Sequence, residues 1–131
     1  MTVAHDLARA RRLIEVHGWA QARPAAERNP TAAPDGTMAY CTTTAIHESC
    51  KFEGRSDDPR FVVGYSNRVR DCFAAVLDIV KPERDHLFER SNPMMIWAWN
   101  DAPERTADEV METLHKAAVT MADKLGLGDD D

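Results

Sequence analysis

The feature that most limits the folds open to this chain is a set of apolar stripes returning every three or four residues. Near the C-terminus, Val110, Leu114, Ala117 or Ala118, Met121 and Leu125 recur in this way, which places them on one face of a 3.6-residue repeat. Thr2 to about His17 repeats the pattern with Val3, Leu7, Ala10, Leu13 or Ile14, and His17. Val62, Tyr65, Val69, Cys72, Phe73, Val76 and Val80 trace a third and longer stripe, the strongest candidate for a central core helix. Strands would need alternation at period two over these stretches.

The ends of the stripes carry matching start and stop signals. Thr2 is placed to cap the first helix and Gly18 to end it in a left-handed conformation. Asp58-Pro59 and Asn92-Pro93 each pair a capping residue with proline at the first helical position. Gly64 leaves open a later start of the third helix near Ser66, and Lys81-Pro82 ends it. The short run Met94, Met95, Ile96, Trp97 and Trp99 forms a fourth helix, stopped by Asn100 and Asp101, whose side chains are expected to satisfy backbone N–H groups before the last helix. Thr106 and Glu109 form a capping box in front of the last stripe.

Tyr40 to about Phe52 is ambiguous, because Thr42, Thr43 and Thr44 suit a strand as well as a helix. The spacing of Cys41, Ala45, Ile46, Ser49 and Phe52 decides for a helix. Residues 20–38 are punctuated by Pro24, Pro30, Pro34 and Asp35-Gly36, and read as a long connection. The expected fold is all-α: one domain over residues 1–126, with four to five helices in an irregular or orthogonal array. A long Pro/Ala-rich loop follows the first helix, and a disordered acidic tail covers 127–131.

Composition narrows the function classes. At 131 residues, 44% hydrophobic and 29% charged, the chain can build a core unaided. No apolar run reaches the ~20 residues of a membrane span and no signal-peptide pattern opens the chain, so a soluble, cytoplasmic protein without membrane contact is expected. A net charge of −6 makes nucleic acid an unlikely partner; that reading would require Arg9, Arg11, Arg12, Arg68 and Arg70 to converge on one face. The odd set of Cys41, Cys50 and Cys72 reads as reduced core residues.

Candidate chemistry is sparse. His47-Glu48-Ser49-Cys50-Lys51 begins like the zinc-peptidase His-Glu-x-x-His but has lysine at the second histidine position. His47 and Cys50 stand three residues apart on the same helix as Cys41, but no Cys-x-x-Cys or His-x-x-x-His pair exists, so neither a metal nor a cofactor is expected. Cys41 would be an activated nucleophile only if His17, His47 or His86 approached it, and a core role is simpler. Trp97 and Trp99, two residues apart on a helix, cannot share a face, which leaves one of them free for contact.

Several stretches together resemble a known family. They are His17-Gly18-Trp19, then Asp35-Gly36 ahead of a Cys-x-x-Gly-Ala-aliphatic pattern at Cys41, Ala45 and Ile46, and finally Trp99-Asn100-Asp101, Pro103, Arg105-Thr106 and Glu109-Val110. The family is an uncharacterised group of small actinobacterial and phage proteins. Thr44 stands where its pattern has glycine, so helix packing at that point is expected to differ. The resemblance implies no catalytic residues.

The expected function is therefore a non-enzymatic helical module acting through contact with a protein partner, as a homodimer or a phage-type modulator of a host protein. Trp19, Met38, Tyr40, Trp97 and Arg105 are the contact candidates; Trp99, Asn100, Asp101, Thr106 and Glu109 are expected to be structural. The alternative is a small-molecule binder or enzyme using Cys41 and His47 near Trp97 to Asp101.

Overall fold

The computed structural model describes residues 2–21, 40–51 and 59–125. These form five helices, α1 (Val3–His17), α2 (Thr42–Lys51), α3 (Pro59–Val80), α4 (Pro93–Asn100) and α5 (Ala107–Leu125), and no strand is present among the described residues. The long connection beyond Gln21, Met38 within it, Asp58, the acidic tail and the side chains of Val62 and Tyr65 lie outside the described residues. α1 packs most extensively against α5 and then α2, while α3 touches all four other helices, as its long apolar stripe suggests.

The core follows the stripes. Leu7, Ala10 and Ile14 of α1 meet Val69, Cys72, Phe73 and Val76 of α3, Ala45, Ile46 and Cys50 of α2, Ile96 of α4 and Val110, Leu114 and Ala117 of α5 in one cluster. Burial of side chains like these stabilises by roughly 1.5–3 kcal/mol each, which outweighs the small helix-propensity deficit of the threonines at the start of α2.

Most terminal signals are realised. The Thr2 side chain accepts from the His5 N–H and the Asn92 side chain from the Met94 N–H, with Pro93 behind it. The capping box closes in both directions: the Glu109 N–H donates to Thr106 Oγ1 and the Thr106 N–H to Glu109 Oε1, both at 3.2 Å. α3 starts at Pro59, so Gly64 does not delay it.

Gly18 ends α1 with φ 93° and ψ 166°. This is a region open essentially to glycine, and more extended than the left-handed helical conformation the sequence suggests. The reason is tertiary: the chain leaves α1 extended and pairs with Tyr40, the Tyr40 N–H donating to Gly18 O and the Ala20 N–H to Tyr40 O, each at 2.9 Å. The segment before α2 is thereby pinned to the end of α1.

Candidate functional site

Beneath the surface of α4 lies a buried polar node built on Asn100, which is 1% exposed. Its Oδ1 accepts from Trp19 Nε1 at 2.7 Å, from the Thr42 N–H at 3.1 Å and from the Thr42 hydroxyl at 2.6 Å. Its Nδ2 donates to the Ala20 carbonyl and to Asp101 Oδ1, both at 3.0 Å. Gln21, also buried, donates to the carbonyls of Asn100 and Ala102 at 3.1 and 2.9 Å. Every donor and acceptor of the Asn100 side chain is used, as burial requires. The side chain does satisfy a helix-terminal N–H, but that of α2, not one ahead of α5 as expected, because the end of α4 packs against the start of α2. α5 is capped by Thr106.

This node joins three stretches far apart in sequence, His17-Gly18-Trp19, Cys41-Thr42 and Trp99-Asn100-Asp101. It also explains how a threonine run sits in a helix. Thr42 bonds Asn100, the Thr43 hydroxyl accepts from Trp97 Nε1 at 2.7 Å, and the Thr44 hydroxyl lies 3.1 Å from Cys41 Sγ. Thr44 is exposed, so the departure from glycine forces no altered packing.

The connection from α3 to α4, residues 81–92, is held by Arg84. Its guanidinium donates to the carbonyls of Ala74, Lys81, Glu89 and Arg90 and to Asp78 Oδ1 at 2.8 Å. The Arg84 side chain is only 1% exposed, and it supplies a cation where the α3 dipole and its last carbonyls favour one. Asp85 Oδ1 accepts from the N–H groups of Leu87 and Phe88 at 2.9 and 3.2 Å, turning the chain so that both side chains face solvent.

Those two residues are among the large apolar side chains that stand exposed. Leu87 is 80% exposed, Phe88 82%, Met94 65% and Trp97 47%. On α4, Met94, Trp97 and Ala98 share the outer face by their spacing while Ile96 and Asn100 share the buried one. Large apolar side chains held in water by an ordered backbone are the usual mark of a contact site.

The expected contact residues divide. Trp97 is exposed and its indole N–H is fixed by Thr43. Trp19 is corrected: at 1% exposure it is a core residue and the donor to Asn100. Tyr40 is half-buried with its ring edge-on to His17 at 5.6 Å. Arg105 is mostly covered, its guanidinium 4.5 Å from the Trp99 ring centroid and bonded to the Trp99 carbonyl and Glu109. Met38 lies outside the described residues. Leu87, Phe88 and Arg84 were not singled out by sequence reasoning, since they belong to no periodic stripe; the only available signal was two adjacent apolar residues in a charged stretch.

The two side chains of the alternative reading have different neighbours. Cys41 rests on the hydroxyls of Thr43 and Thr44, whereas His47 packs edge-on against Phe73 at 5.6 Å. Burial, then Lys51, hold His47 below its ordinary value. A hollow of about 280 Å³ beside Trp99 is lined by Val80, Met95 and Arg105 among others, but by neither Cys41 nor His47. Of the five arginines, Arg9 and Arg68 both face Asp6, Arg11 pairs with Glu15, and Arg70 bonds Asn67. No helix among the described residues is long and apolar enough to cross a membrane.

No curated protein and no solved structure matches the chain. Residues 1–120 match DUF6197, a family of unknown function, and the chain belongs to that family.

Proposed function

We propose that this protein acts by contact with another protein, as a non-enzymatic helical module whose docking face is the outer side of α4 with the 81–92 connection. The observation that carries this reading is the exposure of Leu87, Phe88, Met94 and Trp97 on a backbone pinned by Arg84, Asn92 and Asn100. Association must overcome lost side-chain and backbone freedom, so apolar anchors already held in place bind at lower entropic cost. Tryptophan is enriched among the residues that dominate binding energy. The resemblance to actinobacterial and phage proteins makes a host protein the partner class, with the chain as its modulator.

The test compares wild-type protein with Phe88→Ser and Trp97→Ala in cross-linking pull-downs from actinobacterial lysate, alongside light scattering of the purified chain. The expected result is a defined partner retained by wild type and lost by both variants. Retention of every partner by both variants, or a monomer that captures nothing, refutes the reading. Self-association abolished by the same substitutions would make the partner a second copy.

A further inference from the structure

Where α1, α2 and α3 meet, Asp6, Cys50 and Cys72 place a carboxylate oxygen and two sulfurs within 4.8 Å of one another. The three residues are 1%, 0% and 0% exposed. Asp6 Oδ1 accepts no hydrogen bond although it is buried, and Arg9 Nη1 stands 3.9 Å from it. An unbonded carboxylate oxygen in the interior is costly, and this carboxylate stands beside two thiols. Both cysteines are free.

We propose that Asp6, Cys50 and Cys72 form a binding site for a thiolate-preferring divalent cation of the zinc class. Two soft sulfurs with one carboxylate select such an ion over magnesium or calcium, and the three side chains supply three of its four ligands. Atoms tetrahedrally bound at about 2.0–2.3 Å stand roughly 3.3–3.8 Å apart, so the cluster closes by about 1 Å on loading.

Charge supports the assignment. Without metal, the Asp6 carboxylate is balanced by Arg68, whose Nε donates to Asp6 Oδ2 at 3.1 Å. On binding, both thiols release their protons to solvent and one dication replaces them, so the buried cluster keeps its net charge. Arg68 also bonds the Cys50 carbonyl and so orients two of the three ligands, the part that outer residues play in metal centres. Because the cluster is enclosed, the ion enters as the helices assemble.

The experiment refolds the full chain with Co²⁺ and, separately, Zn²⁺. The expected result is one equivalent of bound metal by elemental analysis and a thiolate-to-cobalt charge-transfer band in the near ultraviolet. Cys41→Ser keeps the band, Cys50→Ser and Cys72→Ser lose it, and Arg68→Gln weakens affinity by about 10- to 100-fold. Folding of each variant is checked by circular dichroism. Should the cysteine variants fail to fold, alkylation of the wild-type chain in mild urea provides the second measurement: Zn²⁺ slows modification of Cys50 and Cys72 but not of Cys41. Absence of the band, its persistence without Cys50 or Cys72, equal alkylation with and without Zn²⁺, or formation of a Cys50–Cys72 disulfide by a chain that takes up no metal each overturns the proposal.

Discussion

Replacing Asn100 with alanine should damage this protein more than any surface change. The substitution strands the Trp19 indole N–H and the Thr42 N–H, whose residues are 1% and 0% exposed and which both donate to Asn100 Oδ1. Each stranded buried donor costs about 1–3 kcal/mol, and the void left by the amide adds about 1 kcal/mol. The total, about 3–7 kcal/mol, is a large part of the 5–15 kcal/mol that typically holds a domain together. With a urea slope of about 2 kcal/mol/M, the midpoint falls by about 1.5–3.5 M. Trp19→Phe removes one donor and keeps an aromatic ring, so it costs about 1–2 kcal/mol. Combined with Asn100→Ala its effect is strongly sub-additive, because the two act on one bond. Asn100→Asp keeps the accepting oxygen but turns a second oxygen toward the Ala20 carbonyl and Asp101 Oδ1. It is destabilised near neutral pH and partly recovers in acid, where the carboxyl is protonated. A midpoint shift below about 0.5 M for Asn100→Ala at unchanged slope, or additive costs with Trp19→Phe, would refute the node.

Other consequences are smaller or more local. Arg84→Lys cannot reach the carbonyls that the guanidinium bonds; it should cost about 2–3 kcal/mol and speed amide exchange in residues 85–90. Thr106→Ala removes one half of the capping box and should lower stability by about 1 kcal/mol, seen as a lower Tm. Asp101→Ala leaves one hydrogen of Asn100 Nδ2 without its acceptor, for about 1 kcal/mol, read from urea midpoints. His47 is held below its ordinary value of 6.5 by burial and Lys51, so the unfolded chain takes up its proton first as pH falls. The His47 contribution to stability is therefore present above pH 6.5 and lost as pH drops through its folded value; urea midpoints for wild type should fall across that window more steeply than for His47→Gln.

Which segments are helical can be read along the chain, because apolar spacing and capping chemistry act over a few residues and are written locally. The stripes of α1, α3 and α5, the Asn92-Pro93 start and the Thr106–Glu109 box are legible without coordinates. Tertiary structure alone decided which polar side chains face inward. Asp6 lies in the first turn of α1, where an acid suits the helix dipole, and Asn100 reads as a helix stop, yet both are buried, one beside two cysteines and one bonded to Trp19. Their partners lie 44 and 66 residues away for Asp6 and 81 residues away for Asn100. Periodicity names the face a residue occupies on its own helix, but not the helix that will cover that face. Leu87 and Phe88 show the converse: apolar by composition, they stay in water because Asp85 and Arg84 fix a turn that points them outward.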